Sequence, residues 1–346
     1  MSFAKILDDL RAQGQGKLDK KLPSWSGRGV TVPSSLNLEQ CSSEGAAMYK
    51  AGLIPEGARV ADLTGGLGAD SWAFARRARA VWYNERDSVL LEAVRHNFAA
   101  LGVSGVEYNG YDISLSDPAW KESLAAFRPD VIYLDPARRS AAGKKVFLLE
   151  DCSPDVVGLM PVLLALAPMV MVKVSSMADL TMLQRRLSDG LEELHVVGLG
   201  GECKEVLCIC RPGAVFSRVV LFEDGFVLDA PVPECRQSGC SEGQDLMLFV
   251  PSAALTKSGL GPGICLTGYQ DSLSHFGKYW QVIENLPFAS SAIRDLGRRY
   301  QQAEVTARGV PLSSEELRSR LRVKSGGSVH IFACTLSGER RLVVCR

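Results

Sequence analysis

The sequence predicts an α/β protein: a doubly wound, mostly parallel, seven-stranded Rossmann-like sheet, followed by small α+β C-terminal domains. Three observations carry this. From about residue 46 to 212, short apolar runs alternate with amphipathic stretches. The runs are continuously apolar, as strands are when helices cover both faces of their sheet. Past Arg211-Pro212-Gly213 the texture changes to alternating hairpins separated by Gly- and Pro-containing turns.

The seven expected strands are 60–63 (VADL), 80–84 (AVWYN), 106–109 (VEYN), 130–135 (DVIYLD), 169–175 (MVMVKVS), 194–199 (LHVVGL) and 205–210 (EVLCIC). Between the second and third, Val89, Leu90, Ala93, Val94, Phe98 and Leu101 line one face of a helix. The most apolar stretch, 156–172, is interrupted by Gly158, Pro161 and Pro168, so it reads as a buried helix running into a buried strand, not as a membrane span. In such a sheet the ligand belongs in the crevice at the carboxyl ends of the strands, where the strand order reverses.

A chain of 346 residues is expected to form two or three domains. The expected borders are a helical extension at 1–45, the doubly wound domain at 46–212, a small α+β domain at 213–290 and a basic unit at 291–346. Within the third, 215–230 reads as a hairpin turning at Asp224-Gly225, and 246–259 as a strand entering a short helix. In the fourth, Ser313 and Glu316 form a capping box that opens a helix, and SVHIFACTL and RRLVVCR close the chain as a strand pair. No internal repeat is present.

MSFAKILDDLRAQG carries acids where a secretory signal needs an unbroken apolar run, and ten cysteines without a leader imply reduced thiols, so a cytoplasmic location is expected. Neither Cys203-x4-Cys208-x-Cys210 nor Cys235-x4-Cys240 has the paired hooks of a zinc site, and no metal is expected. Cys208 and Cys210 alternate along a strand and point to one face. The net charge is zero, which argues against a protein that coats nucleic acid by charge alone. The charge is unevenly spread: residues 291–346 hold eleven Lys/Arg against five Asp/Glu, residues 1–31 hold six against three, and the middle carries the balancing −9.

The stretch with the most chemical content is VADLTGGLGADSWAFA, residues 60–75. An apolar strand stops at Asp62, and Gly65, Gly66 and Gly68 follow. A dinucleotide fingerprint needs G-x-G-x-x-G, but Gly66-x-Gly68 is followed by Ser71, and Asp62 would sit beside the pyrophosphate. A phosphate-binding P-loop needs a Gly-Lys-Ser/Thr ending, and no lysine is present. S-adenosylmethionine has no phosphate; it carries an ammonium and a sulfonium, which an acid beside close-packed glycines favours. The next strands agree. Glu85 ends the second, where a carboxylate accepts from ribose hydroxyls. Asp112 follows the third, where it accepts from an adenine amine, and Asp135 ends the fourth. Any one of these acids could be a helix cap or turn residue; four at successive strand ends form a pattern.

This ordered set resembles the class I S-adenosylmethionine-dependent methyltransferases over about residues 46–212, with Thr64 where the family's first glycine usually stands. The resemblance implies that Asp62, Thr64, Gly65, Gly66, Gly68, Asp70, Glu85, Arg86, Asp112, Ile113 and Asp135 bind S-adenosyl-L-methionine. EQCSSEGAAMYKA, NERDSVLLEAVRHN, YLDPARRS, VKVSSM and GGECKEV are similar to the subset of bacterial methyltransferases with a C-terminal THUMP-like domain. In that subset a ferredoxin-like unit precedes the tail, and here 250–259 and 304–333 resemble those two parts. The resemblance implies RNA, tRNA or rRNA, as the partner.

Methyl transfer from a sulfonium is an in-line displacement, so the nucleophile must be aimed and its proton received. Amino methyltransferases of bases use Asp or Asn, then Pro-Pro and an aromatic ring. Here Asp135-Pro136 supplies the acceptor and the rigid turn, but Ala137 and Arg138 replace the second proline and the ring. Arg138 is expected to stack on a base, bind a phosphate or pair with a carboxylate. Asp-Pro-x-Arg is also similar to uracil-C5 methyltransferases, but these need a cysteine after the fifth strand, where Ser175 and Ser176 stand. Lys173, inside an apolar strand, is expected to meet Asp135 or a substrate phosphate. Asp135, Pro136, Arg138 and Lys173 are therefore the candidate catalytic set. Glu202 and Lys204 are weaker candidates, and the four histidines read as core or solvated. Arg318, Arg320, Arg322 and Lys324 suit a phosphate backbone. The function expected is transfer of a methyl group to a nitrogen of an RNA base. The alternatives are a small-molecule or protein substrate, or a non-catalytic RNA-binding module.

Overall fold

The computed structural model describes residues 16–137, 149, 152–232 and 246–346. Arg138, Cys235 and Cys240 lie outside them. Two compact units result: one runs to Leu199 and takes in Lys204–Val219, and the other comprises Gly200–Cys203 and Val220–Arg346.

The first unit follows the expected alternation: α1 (Ser35–Gln40), α2 (Glu44–Leu53), β1 (Arg59–Asp62), α3 (Ala69–Phe74), β2 (Ala80–Asn84), α4 (Ser88–Leu101), β3 (Val106–Asn109), α5 (Ala119–Phe127), β4 (Val131–Leu134), α6 (Val156–Leu166), β5 (Met169–Ser175), α7 (Leu180–Arg186), β6 (Leu191–Leu199) and β7 (Glu202–Cys210). Its strands stand in the order β3-β2-β1-β4-β5-β7-β6. The first five pair in parallel, and β7 runs antiparallel to β5. The order reverses between β1 and β4, which fixes the crevice at their carboxyl ends. Continuous apolarity has the expected cause: Val131–Leu134 and Met169–Val172 are buried throughout.

Local chemistry sets the boundaries. The Asp87 carboxylate accepts from the Val89 and Leu90 N–H groups to open α4, and Gly102, at φ 72°, ends it. The N-terminal stretch belongs to this unit. Leu18, Leu22 and Trp25 are buried, Trp25 meets Trp72 edge-on at 6.0 Å, and Asn97 holds both backbone groups of Thr31. Among the described residues, no helix is long and apolar enough to cross a membrane.

In the second unit β8 (Arg218–Glu223) and β9 (Phe226–Leu228) form the expected hairpin, with Asp224 and Gly225 at φ 48° and 97°. A six-stranded sheet follows in the order β11-β10-β12-β15-β14-β13. Its strands are β10 (Met247–Pro251), β11 (Cys265–Thr267), β12 (Gly277–Pro287), β13 (Glu304–Arg308), β14 (His330–Leu336) and β15 (Glu339–Cys345). Helices α8 (Ala253–Ser258), α9 (Ser290–Arg299) and α10 (Ser314–Leu321) complete it, and α10 opens with the Ser313–Glu316 capping box. The expected border at 290/291 falls inside this sheet, because β12 pairs along β15. Strand pairing joined what composition had divided.

Cys208 and Cys210 are fully buried on β7, and burial pushes the Cys210 thiol up to about 12. Cys265 departs from the expected reduced state: it is disulfide-bonded. Among the described residues, no three His, Cys, Asp or Glu side chains are grouped to hold a metal.

Ile293 and Leu296 of α9, Leu317 and Leu321 of α10, and Ile331, Leu342 and Val344 of the sheet form one core. At Gly297 the two helices touch so closely that an added Cβ would lie 2.2 Å from the Leu321 carbonyl oxygen. Alanine gains about 1 kcal/mol of helix propensity over glycine, but overpacking against backbone costs about 1–3 kcal/mol. The clash wins: Gly297→Ala lowers the urea midpoint of unfolding, and a raised midpoint would show that the helices do not meet there.

Candidate active site

The glycine turn after β1 is pinned to both neighbouring strands. The Leu63 N–H donates to the Tyr133 carbonyl (3.0 Å), and the Gly65 N–H donates to the Asn84 carbonyl (2.8 Å). Gly65 is required by close approach: an added Cβ would lie 2.0 Å from the Tyr83 ring, whose hydroxyl donates to the Gly66 carbonyl at 2.6 Å. Gly68 is required twice over, by φ +83° and by Phe98, which an added Cβ would meet at 2.9 Å.

Asp62 is 1% exposed. Its carboxylate accepts from the Ser71 hydroxyl (2.6 Å) and the Thr64 N–H (3.1 Å), both neutral donors. Burial, reinforced by the Asp70 and Asp135 carboxylates, outweighs those bonds and pushes its carboxyl up to about 7. Glu85, just past β2, accepts from the Gly66 N–H (3.0 Å) and the Asp87 N–H (2.8 Å), which fixes it beside the turn. Asn84 braces the same corner, bonding the Leu63 and Tyr111 carbonyls and the Tyr111 N–H. Asp112 pairs with Arg86 at 3.4 Å, both well exposed, and Ile113 is buried beside them.

The fourth strand delivers its acid to the same place. The Asp135 N–H donates to the Thr64 hydroxyl at 2.6 Å, so the residue standing in place of the family's glycine ties β1 to β4. Lys173 donates to Asp135 Oδ2. Burial works against the Lys173 charge, but Asp135, Glu205 and Asp70 outweigh it and hold the ammonium well above its ordinary range. Among the described residues, Asp135 Oδ1 has no hydrogen-bond partner, and the side chain is 33% exposed. Pro136 follows directly, and Ala137 pairs with Ser153.

Asp70 is turned inward, away from the role the resemblance implies. It is 7% exposed, accepts from Ser42 and Tyr133 at 2.8 Å each, and meets Lys50 at 3.0 Å. Burial opposes its charge, but Lys50 and Lys173 outweigh this and hold its carboxyl below the ordinary range. Lys50 also meets Glu205 at 2.5 Å. Sequence reasoning missed this buried set of Ser42, Lys50, Tyr133 and Glu205. One signal was present: Lys50 falls three and four residues after Ala47 and Ala46, on the buried face of α2. Glu202 and Lys204 lie at the exposed end of β7. His195 bonds Tyr49 (2.7 Å) and Glu193 (2.9 Å), and burial lowers its pKa, as in a core histidine.

The donor set fits a cationic ligand: buried and half-buried carboxylates, neutral donors and a glycine cradle in which Cβ atoms would strike aromatic rings. Comparisons with known proteins agree. Residues 277–346 match the family described as THUMP domain-like. Two Mycobacterium tuberculosis proteins, from strains CDC 1551 and H37Rv, are each named an uncharacterized S-adenosylmethionine-dependent methyltransferase. Each is 26% identical over 339 residues, covering 91% of this chain and 87% of theirs. A crystal structure from Porphyromonas gingivalis W83, whose assignment as a methyltransferase is itself provisional, superposes with a TM-score of 0.80 at 28% identity. That match covers 97% of this chain and 88% of the other. Fold, site and likeness define the class: this chain is a methyltransferase of the class I fold with a C-terminal THUMP-like domain.

The Asp62 carboxyl sets a pH dependence. Its folded pKa lies above the unfolded value, so the native state holds the extra proton between about pH 4 and 7 and loses stability as pH rises through that window. A shift near three units corresponds to about 4 kcal/mol. In Asp62→Asn this slope disappears, which urea unfolding between pH 5 and 8 reads directly. An equally steep slope in the variant would place the titration elsewhere.

Proposed function

We propose that this methyltransferase acts on RNA, placing the methyl group of S-adenosylmethionine on a nitrogen of a base. S-adenosylmethionine supplies, when bound, an electrophilic methyl group on a sulfonium. Asp62, Glu85 and the turn at Gly65, Gly66 and Gly68 hold it: Glu85 offers carboxylate oxygens suited to ribose hydroxyls, and buried Asp62 favours the ligand's positive charge. Asp112 accepts from the adenine amine and Ile113 packs on the adenine face.

The observation that carries the chemistry is the setting of Asp135. Thr64 holds its backbone, Lys173 holds Oδ2, and Oδ1 has no hydrogen-bond partner among the described residues. A carboxylate held in this way accepts a hydrogen bond from an N–H of the nucleophile, orients its lone pair and takes up the proton as the nitrogen is alkylated. The lysine cannot serve as base, since its own proton is held by three carboxylates. Pro136 stiffens the turn that aims Oδ1.

Two observations support RNA as the substrate. The first is the THUMP-like match over 277–346. The second is a cluster of cations at the ends of α9 and α10. The Gly297–Leu321 contact brings the next residues, Arg298 and Arg322, to one crossing. The Lys324 N–H donates to the Gln301 carbonyl, so the segments leaving both helices run side by side. Arg294, Arg298, Arg320, Arg322 and Lys324 are exposed and make no ion pair among the described residues. Arg318, expected in this set, is instead half-buried and paired with Glu304 at 3.7 Å. Unpaired exposed cations at this density suit a phosphate backbone.

Asp135→Ala abolishes transfer and leaves donor affinity nearly unchanged, whereas Glu85→Ala weakens donor binding by about 1.5–3 kcal/mol. Calorimetry with donor, and mass spectrometry of nucleosides from tRNA and rRNA of a deletion strain, read both. Full turnover in Asp135→Ala, or an unaltered nucleoside profile, would sink the reading. Charge reversal of Arg298 and Arg322 weakens tRNA binding and flattens its salt dependence by about one unit of slope per residue. A slope equal to that of the parent protein would place the RNA elsewhere.

A further inference from the structure

Beneath the site, α2 directs the side chain of Lys50 into the interior. It is fully buried, its Nζ lies 2.5 Å from Glu205 and 3.0 Å from Asp70, and it donates to the Ser42 hydroxyl at 2.8 Å. The Tyr133 ring centre lies 5.7 Å from the same ammonium. The proposed function leaves this lysine without a role.

The geometry gives Lys50 a bearing on the chemistry. On the antiparallel β5–β7 ladder, Glu205 stands opposite Ser175, two residues beyond Lys173, so Lys173 and Glu205 occupy one face of the sheet. Lys173 thus lies in the field of three carboxylates: Asp135, Glu205 and Asp70. Lys21 and Cys41 of the N-terminal stretch also act on Lys173, and Asp62 and Tyr133 face Asp135. The three carboxylates differ in access to water: Asp135 is 33% exposed, Asp70 9% and Glu205 4%. Water can solvate Asp135 if Lys173 leaves it. It cannot do the same for Glu205 and Asp70, and an unpaired buried charge is among the least favourable arrangements in a protein.

We propose that Lys50 is a positioning residue for Asp135 acting through Lys173: by pairing with Glu205 and Asp70 it leaves Lys173 to hold Asp135. Without Lys50, Lys173 turns back to the buried carboxylates and Asp135 loses the cation that holds and aims it. This rests on Asp135 being the substrate-facing acid.

The test follows the Asp135 carboxyl by 13C NMR in protein labelled at aspartate carboxyls, with Asp135→Asn assigning the signal. In Lys50→Met the titration midpoint of Asp135 rises by about one pH unit, a tenfold change in its protonation equilibrium, and Lys50→Arg keeps the midpoint of the parent. The double variant Lys50→Met/Glu205→Gln removes one charge of each sign and restores the midpoint, and it carries the test alone if Lys50→Met does not fold. An unmoved midpoint in folded Lys50→Met overturns the proposal, as does a double variant displaced as far as the single one. A double variant that does not fold assigns Lys50 to the fold and overturns it likewise. Since the readout needs neither donor nor RNA, failure to methylate RNA would fail the substrate reading without touching this result.

Discussion

Charge held away from water governs the catalytic edge of this sheet. Asp62, Asp70, Glu205 and Lys50 are all nearly or fully buried within one unit. Taking such groups out of water is unfavourable by several kcal/mol each unless partners repay it. The chain solves the problem unevenly. Asp70 and Glu205 have an ammonium between them, whereas Asp62 has only a hydroxyl and a backbone N–H. Its carboxyl is therefore pushed upward. The acid left without a cation among the described residues lies beside the glycine turn.

The turn itself shows why three glycines and not three other small residues are present. Tyr83 fills the space a Gly65 side chain would need, then uses its hydroxyl to hold the Gly66 carbonyl. The same ring is thus both the steric demand and the reward for meeting it. Thr64 is the complementary device on the other side. The family pattern has glycine there, but this chain uses the hydroxyl to bond the Asp135 N–H. Donor cradle and fourth-strand acid are thereby linked through one side chain, so displacement of the cradle moves the acid as well.

Much of this was legible in the sequence, for identifiable reasons. Strands covered on both faces write themselves as apolar runs, so β1, β2 and β4 to β7 were readable, as was Lys173 as the exception within one of them. The hairpin at Asp224-Gly225 and the Ser313 capping box rest on local chemistry and were readable too. What escaped depends on contacts far apart in sequence. Ser42, Lys50, Tyr133 and Glu205 span more than 160 residues of chain and meet only once the sheet is wound. The pairing of β12 with β15 joins segments separated by composition, and Arg318 looks free until Glu304 on β13 is placed beside it.

The uneven spread of charge along the chain acquires a physical sense from these sites. A sulfonium donor and the polyanionic RNA proposed above ask for opposite surroundings. Carboxylates gather at the strand ends of the first unit, where Asp62, Glu85, Asp112 and Asp135 stand, while the excess cations of residues 291–346 include Arg294, Arg298 and Arg299 on α9 and Arg322 and Lys324 just after α10. Lys173 is the exception that tests this arrangement: a cation inside the acidic site, tolerated because Asp135, Glu205 and Asp70 surround it. Its charge is met by the acid it contacts at the end of the fourth strand.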